Sequence, residues 1–179
     1  QAFTPQSDLL VSFSYQRAFN DVTVPVWAFS GKQDGYMGEA QYLFRSDQFN
    51  LVGGAGFVDL MNDNQWNIFG TEPSNVNSYV NHYNLYLYTM TRIPQSVTWV
   101  LGASVDWFHE TDYVDTNQVN PKFGVIWNIT PSTTLRAAAF RTFKRTLLAN
   151  ATLEPTQVAG FNQFFDDFDG TDAWNYGVA

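Results

Sequence analysis

The chain has 179 residues with a formal charge of −8 and a pI near 4.4, a length for which one domain is expected. Aromatic residues make up 17% and charged residues only 15%, the reverse of a disordered chain, and nine Lys and Arg in all leave no basic stripe for nucleic acid. With no Cys, disulfides, Cys-type zinc clusters and thiol catalysis are excluded, and no apolar run approaches the about 18 residues of a transmembrane helix.

Period-two alternation dominates from the first element onward. Leu9, Val11, Phe13 and Tyr15 alternate with Leu10, Ser12, Ser14 and Gln16, the pattern of a strand with two unlike faces. The same alternation predicts strands over 36–45, 49–58 and 97–108, and further strands are expected over 82–91, 121–128, 133–144 and 172–179. Short turns fall at Ser46-Asp47-Gln48, Pro94-Gln95-Ser96 and Thr130-Pro131-Ser132, each with residues that tight turns favour. Longer polar connections are expected near 18–34, 62–79, 109–118 and 145–170. Long and short connections therefore alternate, which in an antiparallel meander sends every long one to the same end. Transmembrane barrels have that asymmetry.

Strand length supports the same reading. Tyr36 and Phe44, Phe49 and Phe57, and Trp99 and Trp107 form same-face pairs eight residues apart. Eight residues span roughly 26 Å at about 3.3 Å each, and a tilt of about 40° leaves roughly 20 Å along the membrane normal, close to the lipid-facing apolar band. These six aromatics are the candidate lipid girdle, since aromatic side chains are selected at both membrane interfaces. The opposite face carries Gln16, Glu39, Gln41, Arg45, Asp106, Lys122 and Arg136 as lumen-facing candidates, interspersed with Met37, Leu43, Val52, Val100 and Ile126. On one strand Ala103 is expected toward lipid and Ser104 toward the lumen, where an arginine at position 104 would be nearly silent for stability.

The expected fold is all-β, an antiparallel up-and-down meander of about eight strands, with residues 1–179 forming one segment of a larger transmembrane β-barrel. The alternative is a soluble, aromatic-rich β-sandwich or propeller that binds a carbohydrate-type ligand, because its strands alternate too. Catalysis has little support: His82 and His109 lack a His-x-x-x-His or Glu-x-x-His companion, and no Gly-x-Ser-x-Gly elbow is present. Asp167, Asp169 and Asp172 surround Gly170 with the oxygen ligands that calcium loops use, but the spacing departs from the EF-hand template. A solvated acidic loop is the plainer reading, and no cofactor is expected.

Four stretches carry a resemblance. Thr134-Leu135-Arg136-Ala137-Ala138-Ala139-Phe140-Arg141-Thr142-Phe143-Lys144-Arg145 resembles a strand of TonB-dependent receptor barrels, and Thr152-Leu153-Glu154-Pro155 resembles the phrase that opens their next strand after an extracellular loop. The stretch from Asn120-Pro121-Lys122-Phe123-Gly124 to Asp167, and Gly35 to Ser46, resemble the C-terminal barrel of outer-membrane proteins with tetratricopeptide repeats upstream. The resemblance implies a bacterial outer-membrane barrel without catalysis, taking up a nutrient or exporting a polymer. Its partners would be the lipid bilayer and, in a parent chain, further barrel strands, a plug or a periplasmic repeat domain.

Overall fold

The computed structural model describes residues 2–69, 71–148 and 151–179. Eight strands stand where alternation places them: β2 (Ser7–Val24), β3 (Trp27–Arg45), β4 (Phe49–Ile68), β5 (Ser74–Arg92), β6 (Val97–Glu110), β7 (Val114–Thr130), β8 (Thr133–Phe143) and β11 (Asp172–Val178). A short β1 (Ala2–Thr4) leads into β2, and β9 (Gln157–Val158) pairs with β10 (Phe161–Asn162) as a separate small hairpin. The main sheet runs β1 through β8 and then β11, with every neighbouring pair antiparallel. Among the described residues no second large sheet faces it, so the sandwich or propeller architecture is not the one found.

The three short turns lie where Pro, Asp and Ser mark them. Ser46 N donates to Phe49 O at 2.9 Å, and Val97 N donates to Pro94 O at 2.8 Å. Three of the four expected long connections are instead strand. β2 and β3 continue to a two-residue turn at Pro25-Val26, β4 and β5 run on to 68 and from 74, and β6 reverses into β7 at 111–113. The physical reason is that Asn, Gln, Asp and Ser interrupt the apolar alternation in these stretches, leaving only short pieces of it such as Val22 with Val24 and Trp27 with Phe29. The backbone ladder closes regardless, because each N–H and C=O finds its partner on the next strand.

Among the described residues the one long connection is 144–171; Asp166, Asp167 and Asp172 at its far end are exposed, as a solvated acidic loop would be, but the rest departs from a plain polar connection. It folds back onto one face of the sheet, which leaves the two faces unlike. Leu148 joins Met37, Val58, Leu60, Val80, Phe108 and Phe143 in one buried cluster, and Val158 and Ala159 join Val100, Ala138 and Phe140 in another. The small hairpin can seat this closely because position 124 is glycine: a Cβ there would lie 2.7 Å from the Ala159 Cβ. Fully burying such an apolar side chain is worth about 1.5–3 kcal/mol, so the two clusters hold the connection in place.

Candidate functional site

Alternation sorts the side chains into a bare face and a face covered by the connection. On the bare face, register aligns Phe57 with Tyr83 and Tyr83 with Trp107 across three strands. A second row passes from Phe49 through Thr91 to Trp99. The rows are eight residues apart on β4 and on β6, and from β2 to β7 every bare-face position between them is uncharged. Tyr36 sits beside Tyr15, with ring centroids 5.0 Å apart, and Phe44 is half-buried opposite Leu51. Charge returns beyond the upper row. Asp34 lies 2.5 Å from Arg17 Nε and 2.8 Å from Lys32 Nζ. Hydrogen bonds from these two cations, Lys32 foremost, hold its carboxyl well below the usual carboxylate range.

The covered face is polar at its centre and closed. Glu39 reaches from β3 to accept hydrogen bonds from Thr152 Oγ1 at 2.6 Å and Leu153 N at 2.7 Å. Gln41 bonds Tyr86 and the Leu153 carbonyl. Arg145 and Glu154, both within the connection, form an ion pair at 2.7 Å with each side chain under a tenth exposed. Glu154 also accepts from Tyr88 OH at 2.5 Å and Asn84 Nδ2 at 3.2 Å. Alongside, Asp106 accepts from Asn120 at 2.7 Å and from Ser104 at 3.3 Å, and lies 2.9 Å from His82 Nε2. Among the described residues no buried side-chain nitrogen or oxygen lacks a partner, the condition under which a buried charged network is tolerable.

The predicted residues fall into two groups. Glu39, Gln41, Asp106 and Lys122 are buried together beneath the connection, and Lys122 Nζ donates to the Arg141 carbonyl at 2.6 Å. Gln16, Arg45 and Arg136 share their face but stand apart. Gln16 is half-buried near the edge of the sheet. Arg45 is exposed at the turn end of β3, paired with Asp8. Arg136 is exposed against Gly160. Ser104 is 4% exposed beneath the connection, so the near-silence expected of an arginine there is corrected: the side chain would meet the Asp106 network instead of water. The three aspartates do not converge. Asp167 caps Phe168 N, Asp169 accepts from Thr146, and Asp172 pairs with Arg141. No group of three metal-ligating side chains exists among the described residues.

Alternation carried a signal for the residues of β5 that complete the network, since His82, Asn84, Tyr86 and Tyr88 share one parity with the buried face. Arg145, Glu154 and Gln163 had none, because a folded-back connection has no period. These residues, with Ser104, Asp106 and Lys122, line a cavity of about 20 Å³ that suits a single water. Next to it a recess of about 500 Å³ opens between Gln33, Leu147, Phe164 and Phe165.

Two cations and three carboxylates are thus buried and hydrogen-bonded against one face of a single-layer meander whose other face presents aromatic rows. No curated protein and no solved structure matches the chain significantly. The sequence profile described as TonB dependent receptor-like, beta-barrel matches residues 2–178. The barrels of that family are transport proteins of the bacterial outer membrane. With a match over nearly its whole length, the chain belongs to the TonB-dependent receptor-like β-barrel family.

Proposed function

We propose that this chain is a segment of an outer-membrane barrel that serves passage of a solute or polymer, without catalysis of its own. The bare face meets lipid and the covered face lines the lumen. The observation that carries this is the pair of aromatic rows, eight residues apart, with only uncharged side chains between them. A soluble sheet has no reason to hold an exposed apolar band of bilayer height on one face, whereas lipid demands it. The short turns then face the periplasm and the long hairpins the exterior, as in bacterial barrels generally. In this frame Glu39, Gln41, Asp106 and Lys122 belong to the lumen wall, and the 144–171 connection narrows the path along it. The resemblance of residues 120–167 to barrels with upstream tetratricopeptide repeats favours passage of a polymer over uptake of a chelate.

Lipid-embedded quenchers test the reading. In the whole barrel that these strands help close, reconstituted in vesicles, Trp99 and Trp107 should be strongly quenched at two depths near the opposite interfaces. A protein that stays monomeric in plain buffer and shows no quenching would overturn it.

A further inference from the structure

Beyond the upper aromatic row, β2 to β5 continue as a projecting blade. From Tyr36 to Trp27 is nine residues, roughly 30 Å of strand. Its two faces differ in charge. Arg17, Asp21, Lys32, Asp34, Asp59 and Asp63 all share the parity of the bare face. The other face, continuous with the covered one, has no charged residue on any of the four strands of the blade. It presents an aromatic cluster near the tip, where the Trp66 ring lies 4.6 Å from Phe29 and 5.7 Å from Trp27. Directly below come amides. Gln33 Nε2 donates to Asn62 Oδ1 at 3.0 Å and Asn62 Nδ2 donates to Ser78 Oγ at 3.1 Å. Among the described residues, none hydrogen-bonds the side chain of Asn20 or Asn64, whose backbones are paired in the ladder.

Between these amides and Phe29 is a hollow of about 250 Å³, which Lys32 also borders with its ammonium already paired to Asp34 at 2.8 Å. It exists because position 31 has no side chain: a Cβ there would come within 2.8 Å of the Phe29 ring and 3.0 Å of Asn64 Oδ1. Flat aromatic faces accept C–H-rich surfaces, and each amide supplies both a donor and an acceptor. A ligand suited to both, with no ionic group to neutralise, is polyhydroxylated and uncharged. We propose that the inner face of this blade is a binding subsite for a neutral carbohydrate, with Trp66 and Trp27 as the stacking platform and Asn20 and Asn64 as hydroxyl partners. This rests on the barrel reading for its position at the outer mouth, where a sugar chain would be captured before passage. The hollow is smaller than the about 300–1,000 Å³ of pockets that engulf a whole ligand, as suits a surface that grips one ring of a longer chain.

Calorimetry on the whole detergent-folded barrel, these strands joined by those that close the sheet, tests the assignment, with cellohexaose, maltohexaose and laminarihexaose as neutral probes. A hexagalacturonate is the anionic control, and a neutral Asn- and Gly-containing hexapeptide is the amide-rich control. At least one neutral hexaose should bind saturably and more tightly than either control. Trp66→Ala and Gly31→Val should each weaken it by about tenfold or more, the scale of one lost stacking contact. Trp66→Phe, which keeps a ring and protects against misfolding, should stay within about threefold, and Asp59→Asn on the opposite face should match the parent. The inference fails if none of the three hexaoses binds, if either control binds more tightly, or if Trp66→Ala and Gly31→Val bind unchanged. Vesicle insertion is scored separately: a protein that inserts but binds no hexaose overturns this subsite alone, and one that binds but never inserts overturns the barrel reading.

Discussion

Arg145 and Glu154 lie within one connection, so their pairing depends on how that connection folds as well as on the wall that receives it. Tyr88 and Asn84 hold Glu154 from β5 while Thr152 and Glu39 hold the neighbouring backbone. Removing one partner of such a pair leaves a buried, uncompensated charge, typically at a cost of about 3–5 kcal/mol. Glu154→Ala should therefore destabilise the folded barrel by that order in a reversible lipid-folding titration. The double substitution Arg145→Met with Glu154→Leu should recover most of the loss, and a double variant no better than the single one would refute the coupling. At the outer surface the Arg17–Asp34–Lys32 group makes a pH prediction. A carboxylate with a depressed folded pKa contributes stability above its unfolded pKa and loses it only as pH falls through the folded value. Asp34 should thus remain ionised at acidities that protonate ordinary carboxylates. An NMR titration of its carboxyl carbon with a midpoint near the usual value would contradict the contact.

At the scale of a strand, alternation assigns different solvents to adjacent residues. Ala103 lies on the bare face between Trp99 and Trp107, where a charge near the bilayer midplane costs about 2–4 kcal/mol. Ser12 lies on the other face, opposite Glu39 and only half-buried. Ala103→Arg should impair folding by that amount, and Ser12→Arg, set beside a carboxylate, should change stability by less than about 1 kcal/mol. Equal losses would mean the faces are wrongly assigned. The 144–171 connection behaves as an element in its own right, seated through Val158, Ala159 and Leu148. Gly124→Val places a side chain where Ala159 rests, an overpacking worth about 1–3 kcal/mol. Limited proteolysis should then cut within 151–163 while the strands stay protected, and an unchanged cleavage pattern would show that the hairpin does not depend on that contact.

Across the whole molecule the sheet is open. Among the described residues β11 pairs only with β8, and β2 is covered on its outer edge only by three-residue β1. Phe13, Val11, Trp174, Tyr176 and Val178 stand exposed at those margins. Unpaired edges recruit further strands or aggregate, and in lipid each unpaired backbone group is costlier still. Residues 1–179 alone should therefore fail to form a heat-modifiable monomer in detergent. Appearance of a discrete, heat-shifted monomer band on electrophoresis would show instead that these strands close on themselves.

Local chemistry was enough to place all eight long strands, the three tight turns and the division into two faces. Each depends on neighbours one or two positions away, and period two is written directly into residues such as Trp99, Leu101, Ala103, Val105 and Trp107. The spacing of the two aromatic rows on the bare face was legible for the same reason, since a fixed rise per residue converts spacing into height. What the chain does between 18 and 34, 62 and 79, and 109 and 118 was not legible. Strand there is imposed by the partner across the ladder, not by hydrophobic pattern. The folded-back connection was hidden more deeply. Its contacts join Glu39 to Thr152 and Tyr88 to Glu154, separations of 113 and 66 residues, and no local period encodes such distance. Sequence alone determined which residues face the same way; only the tertiary structure decided which of them are covered, because that depends on where a distant, aperiodic segment comes to rest.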